Sequence, residues 1–144
     1  MRSPVRREMV VDSGPLIALF DSDDQNHERV RAWYRGHWFR GHTTLAVVTE
    51  VSYSLSYRIE SELNFLKWVR AGALRVVNLT DDDLARCIEV IAKYSDLPAD
   101  FSDATLVAVA ERLGIREVAT LDGDFRVYRC RKRRTFLLPL LDPA

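Results

Sequence analysis

The chain has 144 residues, 47% of them hydrophobic and 29% charged, enough for one domain of residues 1–144 with its own core and too apolar for a disordered chain. Lys and Arg number 21, as do Asp and Glu, for a formal net charge of zero, which excludes a wholly basic nucleic-acid coat but not local patches. Cys87 and Cys130 form no CxxC or zinc-ligand set, no run nears the ~18 apolar residues of a membrane helix, and the basic opening Met1–Glu8 has no apolar signal core, so a cytoplasmic protein with free thiols and no membrane association is expected.

Met9-Val10-Val11 reads as a short strand that stops at Asp12-Ser13-Gly14-Pro15, where Pro15 is tolerated in a first helical turn. Leu16, Ile17, Leu19 and Phe20 make an apolar turn of helix, ended by the polar run Asp21–Asn26. Val30, Trp33 and His37 recur at helical spacing, so His27 to about Gly36 is expected as an amphipathic helix. Leu45–Tyr57 is too long for a typical strand, and at least its second half is expected to be helical. Glu62–Val69 repeats the helical pattern, with Gly72 as its stop.

Leu74–Leu79 reads as a strand, and Thr80 with Asp83 as a capping box that opens a helix through Leu84, Ile88 and Ile91. Leu97-Pro98 breaks that helix. Asp103–Leu113 is the next, closed by Gly114, and Val118–Leu121 is a strand that ends at Asp122-Gly123-Asp124. Phe125–Cys130 and Thr135–Leu141 are expected as short extended pieces around a basic tract. Short strands alternating with helices, without internal repeat or composition break, imply an α/β fold on a mainly parallel sheet.

The acids are placed informatively. Asp12 and Asp122 each close a strand, and in an open parallel sheet ligand sites lie outside the carboxyl ends of strands. Glu50 sits in the apolar run Leu45–Val51, where a buried unpaired charge is costly. Asp103 heads the most apolar helix, with Asp100 three residues earlier. Each has a structural alternative: Asp12 as a turn former, Asp100 with Asp103 as a helix-capping pair, Asp122-Gly123-Asp124 as a β-turn, Glu50 reaching out to solvent. Together Asp12, Glu50, Asp103 and Asp122 suggest a convergence from two strand ends and two helices. Bare anions so close would repel or take up protons. A hard divalent cation such as Mg²⁺ resolves the conflict, and it activates water against a phosphodiester.

Val10–Phe20 resembles the opening strand and helix of PIN-domain proteins, Thr49-Glu50-Val51 the family's second acidic element, Asp100–Ala110 its third and Ala119–Phe125 its fourth. The resemblance runs from about Met9 to Tyr128, and the small size is similar to the VapC branch, the toxins of type II toxin–antitoxin pairs. It implies a three-layer α/β/α sandwich and an endoribonuclease dependent on Mg²⁺ or Mn²⁺. It implies Asp12 and Asp103 as metal ligands, Glu50 and Asp122 completing the catalytic pocket, Asp124 and Asp100 as accessory acids, and Thr120 and Ser13 as groups that orient a carboxylate or water. Implied partners are an RNA substrate and a VapB-like antitoxin whose extended tail covers the pocket. A homodimer is expected as well, since C₂ pairing is the commonest way to cover exposed aromatics. The departure from the family pattern is Met1–Glu8, an N-terminal extension before the first strand.

Arg126, Arg129, Arg131, Lys132, Arg133 and Arg134 follow the fourth acidic element, as a hold for RNA phosphates or as a solvated edge protected by charge. Trp33, Trp38, Trp68, Tyr53 and Tyr57 read as core or interface residues, and His27, His37 and His42 lack metal-ligand spacing. Two other functions are open. A receiver-like signalling domain wants adjacent acids at the first strand end and a late lysine, but Ser13 follows Asp12 and no lysine lies between Lys93 and Lys132. A catalytically silent PIN-type module is the other, and four intact acids count against it.

Overall fold

The computed structural model describes residues 6–97 and 99–143. Residues 1–5 of the expected extension and the breaker Pro98 lie outside the described residues. Glu8 already belongs to the first strand, β1 (Glu8–Val11), whose Met9, Val10 and Val11 are buried. Two helices follow, α1 (Ser13–Phe20) and α2 (His27–Gly36).

The next element has no periodic apolar signal. β2 (Arg40–Thr44) has the sequence Arg-Gly-His-Thr-Thr, yet Gly41 to Thr44 are all buried. Its side-chain polar groups find partners one by one rather than by pattern, and His42 Nδ1 stays buried without one. Thr43 Oγ1 donates to the Val11 carbonyl at 3.0 Å, Thr44 Oγ1 lies 2.8 Å from Thr105 Oγ1, and His42 Nε2 lies 3.1 Å from Glu8 Oε1. Gly41 permits the close approach of β2 to its neighbours: a Cβ there would lie 2.6 Å from Leu74 Cδ2 and 3.3 Å from Val11 Cγ2.

The whole of α3 (Leu45–Leu55) is helical, not its second half alone, because Thr44 supplies an N-cap that accepts from Val47 N–H. α4 (Ile59–Arg70) starts three residues before the expected Glu62. β3 (Leu74–Val77) is shorter than the expected Leu74–Leu79. α5 (Asp81–Lys93) opens on the expected capping box of Thr80 with Asp83. α6 (Phe101–Leu113) is buried through Asp103–Ala110 and closes on Gly114 at φ 70°, the left-handed stop glycine favours.

β4 is only Val118–Ala119; Thr120 and Leu121, expected in the strand, leave the ladder. Of the extended piece expected at Phe125–Cys130, Phe125 and Arg126 belong instead to a 3₁₀ turn over Gly123–Arg126, and Arg129 alone pairs, in an antiparallel bridge with Thr135. The turn forms because Asp122 caps the Asp124 N–H and because Phe125 and Tyr128, three residues apart, bury rings that meet edge to face at 5.0 Å. Of the second extended piece, Thr135 and Leu137 make isolated bridges to Arg129 and Glu117.

All strand pairs are parallel, in the order β3-β2-β1-β4. The chain steps outward from β1 to β3, then crosses back to β4 on the other side of β1. Right-handed crossovers of opposite direction put helices on opposite faces. Accordingly α1 to α4 pack on one another and α5 packs on α6, giving the expected three-layer α/β/α sandwich. The reversal of direction leaves a crevice between the carboxyl ends of β1 and β4, the place where open parallel sheets bind ligands.

Candidate active site

Both strand ends at that crevice carry an acid. Asp12 follows β1 and caps α1: its Oδ1 accepts from Ser13 N–H at 2.8 Å, and its Oδ2 accepts from the Thr120 hydroxyl at 2.8 Å. Thr120 Oγ1 in turn accepts from Asp122 N–H at 2.9 Å, so one buried hydroxyl joins the two strand-end acids. Asp122 Oδ1 accepts from Asp124 N–H at 2.9 Å, as the turn reading of Asp122-Gly123-Asp124 requires. The third acid comes from the opposite layer. Asp103 is the third residue of α6, and its Oδ2 accepts from the Tyr128 hydroxyl at 3.0 Å. The cap of this helix is Asp100, exposed to solvent, which accepts from Asp103 N–H at 2.8 Å.

Asp12, Asp103 and Asp122 each place a carboxylate oxygen within 4.8 Å of the others. Glu50 joins at one remove: its Oε1 accepts from Ser13 Oγ at 2.6 Å, and the Ser13 N–H holds Asp12. Asp124 sits at the turn, bonded to Asp122 through its backbone rather than its carboxylate.

Among the described residues no lysine or arginine pairs with Asp12, Asp103 or Asp122. Burial pushes the Asp12 carboxyl up to about 6, against the bonds from Thr120 and Ser13, with Asp122 and Glu50 adding repulsion. Burial, with repulsion from Asp12 and Asp100 added to it, pushes Asp103 up to about 8. Tyr128 is held well above the usual phenol range by burial and by Asp103, so it stays a donor. A hard divalent cation fits this set, with oxygens alone as donors, excess negative charge and no competing side-chain cation among the described residues.

The raised values have a stability consequence. A carboxyl whose folded pKa exceeds its unfolded ~3.9 stabilises the fold below that pH, and the contribution is lost as pH rises through the folded value. His42, which burial holds below its ordinary value, works oppositely, but only below the unfolded histidine pKa of ~6.5. The melting temperature of metal-free protein is therefore expected to fall between about pH 6.5 and 8, where Asp103 ionises. Asp103→Asn should flatten that slope. A flat or rising parent curve over the same window in thermal melts would refute the assignment.

The remaining residues sort plainly. In the basic tract Arg126 pairs with Asp142, and the Arg129 guanidinium donates to the carbonyls of its own turn; Lys132, Arg133 and Arg134 are exposed, and the Arg131 side chain lies outside the described set. Trp33 and Trp68 pack on the core, whereas Trp38, Tyr53 and Tyr57 are exposed. The three histidines bond to Ala18, Trp33 and Glu8, and none of these bonds reaches Asp12, Glu50, Asp103 or Asp122. Tyr128 is the site residue that motif reading missed. Its signal was the three-residue spacing from Phe125 after the Asp-Gly-Asp turn.

Residues 9–129 match the family model of the PIN domain. Ribonuclease VapC26 of Mycobacterium tuberculosis is 27% identical over 116 residues, which cover 79% of this chain and 86% of that protein. Among solved structures, VapC20 of Mycobacterium tuberculosis, described as a Sarcin-Ricin loop cleaving toxin, superposes with a TM-score of 0.75 at 23% identity, covering 83% of this chain and 93% of that one. A chain of a toxin–antitoxin complex from Klebsiella pneumoniae gives a TM-score of 0.63 at 19% identity, covering 81% and 89%.

Proposed function

The chain belongs to the PIN-domain family, and from that premise we propose that it is a cytoplasmic divalent-metal-dependent endoribonuclease, the toxin of a toxin–antitoxin pair. The observation that carries the reading is the meeting of Asp12, Asp103 and Asp122 at the switch point of the sheet, with no side-chain cation among the described residues to neutralise them. VapC26, similar along most of both chains, is named a ribonuclease, which supports RNA as the substrate.

Asp12, Asp103 and Asp122 would hold Mg²⁺ or Mn²⁺, with Asp12 and Asp103, the more buried pair, as the principal ligands. When bound, such an ion would supply positive charge beside the scissile phosphate and lower the pKa of a water molecule. The protein's part is to fix the ligands. Ser13 and Thr120 each engage one oxygen of Asp12, and Tyr128 engages Oδ2 of Asp103, which sets the direction of the remaining lone pairs. Glu50, at the edge of the cluster on the Ser13 hydroxyl, is suited to accept a proton from the attacking water.

The reading extends to an antitoxin, supported by the toxin–antitoxin complex among the structural neighbours, and to a homodimer, supported by the exposed Tyr53, Ile59 and Leu63 on α3 and α4. One assay tests it. Purified protein is expected to cut RNA with Mg²⁺ or Mn²⁺, to stop in EDTA, and to be suppressed by the product of the adjacent gene. Cleavage that persists in chelator, from a preparation whose activity co-elutes with the protein, sinks the metal mechanism. Light scattering reads the dimer, and a monomer at micromolar concentration counts against it.

A further inference from the structure

A cleft of about 530 Å³ opens on the same rim, beyond the carboxyl ends of β2 and β3, between the first turns of α3 and α6. Its wall includes Leu45, Thr49, Val77, Asn78 and Phe101. Two apolar side chains there face solvent: Leu45 is 67% exposed and Phe101 46%. Asn78 is also exposed, and its carboxamide has no hydrogen bond among the described residues, while its backbone carbonyl accepts from Arg112.

Cleft and acidic centre belong to one surface. Phe101 and Asp103 both stand in the first turn of α6, and Thr49 and Glu50 are neighbours on α3, so each helix contributes both to the cleft and to the acidic centre. Ser102 Oγ lies 3.5 Å from the Ala46 carbonyl, which ties the two helix starts together. β3 stands two strands from β1, so ~10 Å separates the cleft from the strand end that carries Asp12.

On the ribonuclease reading above, we propose that this cleft takes an unstacked nucleobase of the substrate strand beside the scissile phosphate, with the Phe101 ring as its stacking face and Asn78 reading its edge. The electrostatics favour a base as the occupant. Three carboxylates repel the phosphates on either side of the one a cation can hold, so the strand needs an uncharged anchor near the centre. Stacking on an aromatic ring is such an anchor. A free carboxamide presents a donor and an acceptor side by side, the pattern that matches a base edge.

The test uses a short single-stranded RNA with one cleavage site, and a series in which each base flanking the cut is removed in turn. Phe101→Ala is expected to raise KM roughly tenfold, as the loss of one stacked base would, with kcat little changed. Phe101→Tyr should restore the parent KM. One abasic position should weaken the parent roughly tenfold yet cost Phe101→Ala nothing further, because the ring and its base are lost together. Asn78→Ala should alter the nucleotide preference at that position alone. Phe101→Leu, which keeps the bulk without the ring, replaces Phe101→Ala if melts show the latter unfolded. A parent-like KM and abasic profile in the ring-less variant, or a loss spread evenly over all positions, assigns the cleft to another occupant such as a protein segment. Either result overturns the proposal while leaving the ribonuclease reading intact. A parent that cuts no RNA overturns both.

Discussion

Asp103→Asn is expected to give a folded protein that cleaves RNA more than roughly 100-fold slower, since removing even an outer hydrogen-bond partner of a metal ligand costs ~10–100-fold and this change removes a ligand itself. The fold has little reason to object. Asp100, not Asp103, caps α6, so no cap is lost. The Tyr128 hydroxyl that donates to Oδ2 finds an amide oxygen to accept it. The helix-dipole contribution at stake is only ~0.3–1 kcal/mol. Against it stands relief of a burial and repulsion strong enough to lift the carboxyl to about 8, so near pH 8 the metal-free variant should melt at or above the parent temperature. Its melting temperature should barely respond to Mg²⁺, whereas the parent's should rise as the ion binds the folded state. A variant that cuts RNA at the parent rate removes Asp103 from the site.

That expectation rests on a distinction that the family resemblance implied and that spacing and propensity alone do not make. Asp100 and Asp103 read alike as a capping pair, and only their directions separate them: Asp100 accepts from the helix and is exposed, whereas Asp103 is buried beside Asp12. Asp12, Asp122 and Asp103 were legible because each stands where a strand ends or at the start of a strongly apolar helix, and Glu50 because it interrupts an apolar run. The α/β class was legible from the alternation of short strands with helices. β2 was not, because a strand between two others is selected by fit rather than by alternation. Gly41 is there for clearance from Leu74 and Val11, and His42, Thr43 and Thr44 bond to groups far away in the chain. Tyr128 stayed hidden for the same reason. Its partner Asp103 lies 25 residues earlier, in another layer of the sandwich.

Thr120→Val isolates the hydroxyl that joins the two strand-end acids. Valine keeps the branched shape at a fully buried position but takes away the donor to Asp12 Oδ2 and the acceptor for Asp122 N–H. The second loss strands a backbone donor, and ~1–3 kcal/mol of stability should go with it. The first loss reaches the chemistry. The Thr120 bond is the largest of the effects that hold the Asp12 carboxyl down against burial; without it that carboxyl rises above about 6, and deprotonation for metal binding needs a higher pH. Cleavage should fall ~10–100-fold, the Mg²⁺ concentration for half-maximal rate should rise, and the acid limb of the pH–rate profile should move upward. Thr120→Ser, which returns the hydroxyl without the methyl, should recover the Mg²⁺ dependence and the acid limb even where stability stays reduced. A purely structural threonine would lower the melting temperature and leave both curves where they were, so a valine variant with the parent's Mg²⁺ dependence and acid limb takes Thr120 out of the catalytic centre.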